Sequence, residues 1–214
     1  ELTYSLPDYQ TQSGCVDIMM HTMERYFNRS GSMDMTDRIS EALLKIVMKY
    51  AKVLQGEPQN YEARAEVMWA GSLSHNGLTD CGTDGGDWAT HRLEHELGGM
   101  FDVAHGAGLA AVWGSWARYV CEAAPERFSA FAWNVMDVSR ELSSMDAALA
   151  GIEAMEAYFR SVNMPVSVSD MGIRLTDAQI EELSEKCSIA DSITIGVVKR
   201  LKKSDMIKIY QMAK

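Results

Sequence analysis

The sequence predicts an all-α fold, a single multi-helix, bundle-like domain of 214 residues. Apolar residues recur at three- and four-residue spacing through most of the chain, as they do along one face of an α-helix. No segment sustains the apolar–polar alternation of a sheet strand, and the sequence lacks the strand–helix rhythm of a parallel α/β fold. Hydrophobic residues make up 47% of the chain, enough for a sizeable core.

The predicted helices follow the chain in order. The first covers residues 16–27, because its apolar residues form one stripe: Val16, Met19, Met20, Met23, Tyr26 and Phe27. The polar segment before it is expected to be extended and to continue from an upstream part of a longer protein. Further helical patterns cover residues 35–54, 61–77, 88–97, 106–121, 126–136, 146–162, 177–187 and 204–212. Only residues 165–173 have an extended pattern.

Amino-acid composition and net charge argue against several classes of protein. Twenty basic against thirty acidic residues give a net charge of −10, which disfavours a nucleic-acid partner. No run of about 18 apolar residues is present and the first residues do not resemble a signal peptide, so neither a membrane location nor secretion is expected. The cysteines are scattered singly, without C-x-x-C spacing, which fits a reducing cytoplasm: Cys15, Cys81, Cys121 and Cys187.

Asp17 and His21 are the first candidate metal-binding pair. They stand four residues apart in the first predicted helix, so carboxylate and imidazole share one face. Spacing alone favours the simpler interpretation, an Asp–His pair on the helix surface. The neighbouring Val16, Met20 and Met23 are apolar, however, and unpaired polar groups beside a buried face are costly. This context favours a metal site.

Three of the five histidines lie within residues 91–105. His91 and His95 repeat the four-residue spacing, and spacing alone favours them as a ligand pair. The glycines at 98–99 are predicted to end that helix, so that His105 begins the next one. Together with the aspartate and histidine of the first helix, these residues provide nitrogen and oxygen ligands suited to Zn2+ or Fe2+.

Two short motifs in this region lack the context that would give them meaning. Residues 95–99, His-Glu-Leu-Gly-Gly, begin like the H-E-x-x-H motif of zinc proteases, but glycine replaces the second histidine. Residues 106–111, Gly-Ala-Gly-Leu-Ala-Ala, fit a dinucleotide-binding fingerprint, but no apolar strand precedes them. We expect Gly106 and Gly108 instead to let a helix approach a neighbour or a ligand closely.

Simpler interpretations apply to other residues. His75 has no partner at helical spacing and is expected to cap a helix or to lie on the surface. The fifteen methionines lie mostly on apolar stripes and are expected to fill gaps in the core.

A family resemblance is carried by two segments, GCVDIMMHTMERYF and GDWATHRLEHELGGMFDVAHGAGLA. With their D-x-x-x-H, H-x-x-x-H and His-Gly patterns, they resemble the iron-containing, metal-dependent alcohol dehydrogenases, in the butanol dehydrogenase-like branch. The resemblance covers essentially all 214 residues. It implies the dehydroquinate synthase-like architecture, in which an N-terminal α/β domain binds the nucleotide and a helical C-terminal domain holds the metal. Only the helical domain is expected in residues 1–214, and this chain alone is expected to be inactive.

The resemblance also implies roles for individual residues. Ligands of one divalent metal, Fe2+ or Zn2+, would be Asp17, His21, His91 and His105. His95 would lie beside the nicotinamide and the substrate, contact the cofactor and relay a proton. The implied reaction is reversible hydride transfer between NAD(H) or NADP(H) and a primary alcohol or aldehyde, with the metal as Lewis acid.

Two other functions remain open at this point. The chain could be a non-catalytic module for metal binding or oligomerisation, or a metal-dependent hydrolase with Glu94 or Glu96 as base. Trp88, Met100 and Phe101 either line a pocket for an alkyl chain or belong to the core. We expect a homo-oligomer that acts on a small alcohol or aldehyde and has no nucleic-acid or membrane partner.

Overall fold

A computed structural model describes residues 1–31 and 33–214, and these residues form nine α-helices. The helices are α1 (Asp8–Tyr26), α2 (Asp34–Gly56), α3 (Tyr61–His75), α4 (Ala89–Phe101), α5 (His105–Val120), α6 (Pro125–Asn134), α7 (Ser144–Ser161), α8 (Asp177–Cys187) and α9 (Lys203–Ala213). Within the described residues, β pairing is limited to one isolated bridge between Ile195 and Leu201. The predicted all-α class is confirmed.

Helix α5 lies at the centre of the fold. It packs against α1, α4, α7 and α9, and its side chains Trp113 and Trp116 are fully buried. Each such aromatic removes about 150–250 Å² from water, so this helix contributes much of the hydrophobic stabilisation. Helices α2 and α3 pack on α1, and α6 packs on α7. No helix in the described parts of the chain combines the length and apolarity needed to cross a lipid bilayer.

Two glycines let α5 approach its neighbours. A Cβ atom on Gly106 would lie 1.9 Å from the carbonyl oxygen of Ser13 in α1. A Cβ atom on Gly108 would lie 2.6 Å from Oε1 of Glu94 in α4. The expectation that these glycines permit close approach is confirmed, and the start of α5 is thereby held against both α1 and α4.

Helix α1 begins at Asp8, so the prediction that the segment before Val16 is extended was wrong. Two polar side chains of its first turns are buried against other helices: the Gln12 amide donates to the Ala51 carbonyl at 3.0 Å, and Arg64 donates to Thr11 at 3.0 Å. The polar residues of this segment therefore did not indicate a loop. The predicted packing of methionines is confirmed in α1, where three are fully buried: Met19, Met20 and Met23.

The predicted break at Gly98 and Gly99 was also wrong. Helix α4 continues to Phe101 and ends at Asp102, whose φ of 52° is left-handed. A glycine in a helix interior costs about 1 kcal/mol relative to alanine, but Gly98 is needed for space. A Cβ there would lie 2.9 Å from Oε1 of Glu94. His105 does begin the next helix, as predicted. Residues 165–173 form no strand and contain a 3-10 turn at Ser169–Met171.

Candidate metal centre

Asp17 and three histidines converge where α1, α4 and α5 meet. The Nε2 atoms of His21 and His91 each lie 3.7 Å from Oδ1 of Asp17, and Nε2 of His105 lies 3.4 Å from the same oxygen. Ligands bound at about 2.0–2.1 Å around a tetrahedral zinc ion stand about 3.4 Å apart. Each of these three distances suits two ligands of one ion, and donor atoms of Asp17, His21 and His91 lie within 4.8 Å of one another.

Several polar atoms of this cluster have no hydrogen-bond partner among the residues that the structure describes. Buried and unpaired atoms include Oδ1 of Asp17 and Nε2 of His91. A buried polar atom left unsatisfied costs about 1–3 kcal/mol, and a carboxylate costs more. Both atoms are electron-pair donors aimed at the same space, so a cation between them would satisfy both. The donor set therefore fits the divalent metal that the sequence predicted.

Two buried glutamates orient the ligand candidates. A carboxylate oxygen of Glu24 contacts Nδ1 of His91, and a carboxylate oxygen of Glu94 contacts Nδ1 of His105. Because each carboxylate holds the Nδ1 side of its ring, the Nε2 side faces Asp17. Carboxylates of this kind typically fix the tautomer and orientation of metal-binding histidines.

The role of both glutamates was not predicted from the sequence. Glu24 stands seven residues after Asp17 and three after His21, so helical spacing placed it on the same face of α1. That spacing was the available signal. Glu94 was considered only as the base of a hydrolase. Its carboxylate is instead buried against His105, in space left open by Gly98 and Gly108.

The histidines differ in basicity because their surroundings differ. Burial lowers the pKa of His21 to about 4, against the opposing charge of Asp17. Burial also acts to lower the pKa of His91, but the carboxylates of Asp17 and Glu24 outweigh it and raise that pKa to about 9. Hydrogen bonding to Glu94 raises the pKa of His105. Burial acts to raise the pKa of Asp17, and the three imidazoles outweigh it, so that the pKa is lowered.

His95 occupies a different position from the other predicted site residues. It lies on an exposed part of α4, with its ring centroid 5.5 Å from that of His105 and 6.1 Å from that of His91. Burial lowers the pKa of His95. Donor atoms of Glu94, His95 and His105 also lie within 4.8 Å of one another, a second grouping that would suit a metal. In that grouping, however, Glu94 faces Nδ1 of His105 and not Nε2.

Two further rings border the cluster. Trp88, with a left-handed φ of 58°, presents its ring at 5.3 Å from the His21 ring and 5.2 Å from the His91 ring. His75 is exposed, as predicted, but the sequence analysis missed that it adjoins the site: its ring centroid lies 3.9 Å from that of His21. Met100 and Phe101 pack against the core.

Comparison with known proteins shows the family of this chain. The model of the Fe-containing alcohol dehydrogenase family, C-terminal domain, matches residues 11–214. The chain belongs to the iron-containing alcohol dehydrogenase family. Its helical fold is therefore that of the family's C-terminal domain, as the sequence resemblance implied.

Relatives of this chain include proteins named as NADH- or NADPH-dependent dehydrogenases and reductases. It is 33% identical over 211 residues to NADH-dependent butanol dehydrogenase B of Clostridium acetobutylicum, an alignment covering 98% of this chain and 53% of that protein. It is 34% identical over 175 residues to an NADPH-dependent aldehyde reductase of Escherichia coli, covering 80% of this chain and 44% of that protein. The chain spans about half the length of the curated relatives it matches.

Solved structures of the family match the fold closely. NADH-dependent butanol dehydrogenase A from Thermotoga maritima superposes with a TM-score of 0.91 at 33% identity, covering 98% of this chain and 53% of that one. The Escherichia coli aldehyde reductase, free of substrate and cofactor, gives a TM-score of 0.92 at 30% identity, covering 99% and 55%.

Proposed function

We propose that this chain binds one divalent cation, Fe2+ or Zn2+, through Asp17, His21, His91 and His105. As part of a full-length protein, it forms the metal-binding half of an NAD(P)-dependent enzyme that interconverts primary alcohols and aldehydes. The observation that carries the proposal is the convergence of three Nε2 atoms on one buried, unpartnered oxygen of Asp17. The names of the relatives, a butanol dehydrogenase and an aldehyde reductase, support the substrate class.

The residues of the site have different roles. Asp17 would contribute a negative charge to the cation, while Glu24 and Glu94 fix the rings of His91 and His105. When bound, the cation supplies a Lewis acid that polarises the oxygen of an alcohol or aldehyde. NAD(H) or NADP(H), which would exchange hydride with the reacting carbon, is held mainly by a nucleotide-binding domain outside this chain.

His95 is the candidate proton relay. It borders His91 and His105 but also reaches the surface, so its imidazole can exchange protons between the site and water. Glu94 has a donor atom within 4.8 Å of a ring nitrogen of His95 and acts to raise the pKa of His95, but burial outweighs that charge. A lowered pKa keeps the ring available as a proton acceptor near neutral pH.

Metal analysis of the full-length protein tests the ligand assignment. Parent protein and variants Asp17→Asn, His21→Ala, His91→Ala, His105→Ala and His95→Ala would be purified in parallel and their metal content measured. We expect bound metal in the parent and in His95→Ala, and strong loss in the other four. The assignment fails if His95→Ala empties the site while His105→Ala stays filled.

Turnover measurements distinguish an alcohol dehydrogenase from the two alternative functions. The full-length protein should oxidise NADH or NADPH in the presence of butanal, and His95→Gln should lower the rate while the metal stays bound. Metal binding without turnover would favour a non-catalytic metal-binding or oligomerisation module. Turnover of an ester or amide without nicotinamide would favour a hydrolase.

A further inference from the structure

His75 is a fourth imidazole beside Asp17. Its Nε2 atom lies 3.7 Å from Oδ2 of Asp17, the oxygen opposite to the one that the other three histidines face. We propose that His75 is an additional nitrogen donor to the cation, on the Oδ2 side of Asp17. The inference rests on the proposed metal site and extends it by one protein ligand.

The environment of the other ring nitrogen determines which atom of His75 carries the hydrogen. Nδ1 lies 2.9 Å from the carbonyl oxygen of Gly71, one turn earlier in α3. A carbonyl oxygen only accepts hydrogen bonds, so Nδ1 must be the donor. The nearby hydroxyl of Ser74, 2.7 Å from Nδ1, lies 2.9 Å from the same carbonyl and can donate to it. In the neutral ring, Nε2 therefore holds a lone pair.

That lone pair faces a group that also cannot donate. An ionised carboxylate such as Asp17 only accepts hydrogen bonds. The separation of 3.7 Å exceeds the length of a hydrogen bond, so protonation of Nε2 would not produce one in this arrangement. Two electron-pair donors 3.7 Å apart instead match the spacing of His21 and His91 from Asp17.

The ring of His75 is oriented in the same way as the rings of His91 and His105. In His91 and His105 a carboxylate holds the Nδ1 atom so that Nε2 points at Asp17. In His75 the carbonyl oxygen of Gly71 holds Nδ1 instead. A ligating histidine typically donates its second N–H to a carboxylate, carbonyl or water. The side chain is 43% exposed, which suits a donor at the open side of the site.

Stacking on His21 is the competing role of His75, because the two ring centroids lie 3.9 Å apart with an interplanar angle of 36°. Two substitutions separate stacking from ligation. His75→Phe keeps an aromatic ring against His21 and removes the nitrogen donor. His75→Gln removes the ring and keeps a polar group. Ser72→Ala, an exposed change on the same helix, serves as the matched control.

The experiment uses Co2+ as the probe in the metal-free full-length protein. Affinity is measured by competition with a chromophoric chelator, and the visible d–d absorption of bound Co2+ reports the coordination number, since sites with fewer ligands absorb more strongly. Far-UV circular dichroism verifies the fold of each variant. We expect His75→Phe and His75→Gln to bind Co2+ at least about tenfold more weakly and with stronger absorption, while Ser72→Ala matches the parent.

The outcomes distinguish this inference from the proposed function. If the parent binds Co2+ and both His75 variants bind with the parent's affinity and spectrum, His75 is not a ligand and the four-residue site stands. If His75→Phe alone matches the parent, stacking is the role of the ring and the inference is overturned. A parent protein that binds no Co2+ overturns the metal site and this inference together.

Discussion

The two carboxylate oxygens of Glu24 in α1 contact different parts of His91 in α4. Oε2 of Glu24 contacts Nδ1 of the imidazole, while Oε1 accepts the backbone N–H of Thr90 at 2.7 Å and that of His91 at 3.2 Å. The first contact orients the ring, and the second satisfies N–H groups that the start of a helix leaves without partners. One fully buried carboxylate therefore fixes both the beginning of α4 and the direction of its first histidine.

Glu24→Gln should weaken metal binding without unfolding the chain. The glutamine oxygen can still accept from Thr90, but the neutral amide no longer supplies the charge that orients and polarises His91. Loss of such a partner typically lowers metal affinity about 10–100-fold. Competition titration with a chelator measures it, with Glu153→Gln on the exposed face of α7 as the control. An affinity equal to that of the control would show that Glu24 only caps the helix.

Gly106→Ala and Gly99→Ala should have opposite effects on stability. A Cβ at position 106 would meet the Ser13 backbone at 1.9 Å, so helices must shift, at a cost of about 1–3 kcal/mol or more. A Cβ at position 99 has no atom within 4 Å, and alanine favours a helix over glycine by about 1 kcal/mol. Urea denaturation measures both changes in the free energy of unfolding. Equal effects would contradict the close approach of α5 and α1.

Helix positions were predictable because apolar periodicity is local. All nine helices of the described chain fall where that pattern placed them, with shifts at their ends. Both errors arise where a specific contact overrides the local pattern. The start of α1 is stabilised by the carbonyl of Ala51, 39 residues away, and Gly98 is retained inside α4 because Glu94 needs the space. Neither contact leaves a trace in local hydrophobicity.

The site was predictable in part for a similar reason. Asp17 and His21 share a helix face, so their pairing followed from spacing, and the resemblance supplied His91 and His105. The structure brings these four together, and their role as ligands stays a prediction. Spacing could not show that His75 lies beside Asp17, because 58 residues separate them in the sequence and only the packing of α3 on α1 brings them close.

Zn2+ should stabilise the chain, and Asp17→Asn should remove that effect. A ligand that binds only the folded state raises the free energy of unfolding by about 2.7 kcal/mol at 100 times its dissociation constant. The unpaired Oδ1 of Asp17 is the oxygen around which the site is built. Thermal denaturation with Zn2+ and then with excess chelator measures the gain and its reversal, and Mg2+ serves as control because imidazole ligands suit it poorly. An equal gain in Asp17→Asn would place the ion elsewhere.

Asp87 connects the segment before α9 to the start of α4. Its Oδ2 atom accepts the backbone N–H groups of Val197 and Val198, each at 2.8 Å, and Oδ1 accepts that of Ala89 at 3.1 Å. Burial nonetheless raises the pKa of Asp87 to about 6, since loss of hydration outweighs these three donors. The Asp87 side chain therefore makes the stability of the fold depend on pH.

Asp87 should make the folded state less stable as the pH rises from about 4 to about 6. In that interval the folded chain still holds the Asp87 proton while the unfolded chain has lost it, so the contribution is complete below the unfolded pKa and disappears through the folded one. Asp87→Asn cannot titrate. The stability of the parent relative to this variant should thus fall by up to about 3 kcal/mol between pH 4 and pH 7. Urea denaturation of both proteins at several pH values measures this difference in the free energy of unfolding. Taking the difference removes the contribution of every group that titrates alike in both proteins. A difference that stays constant, or that grows in favour of the parent, would mean that the three N–H donors keep Asp87 ionised throughout.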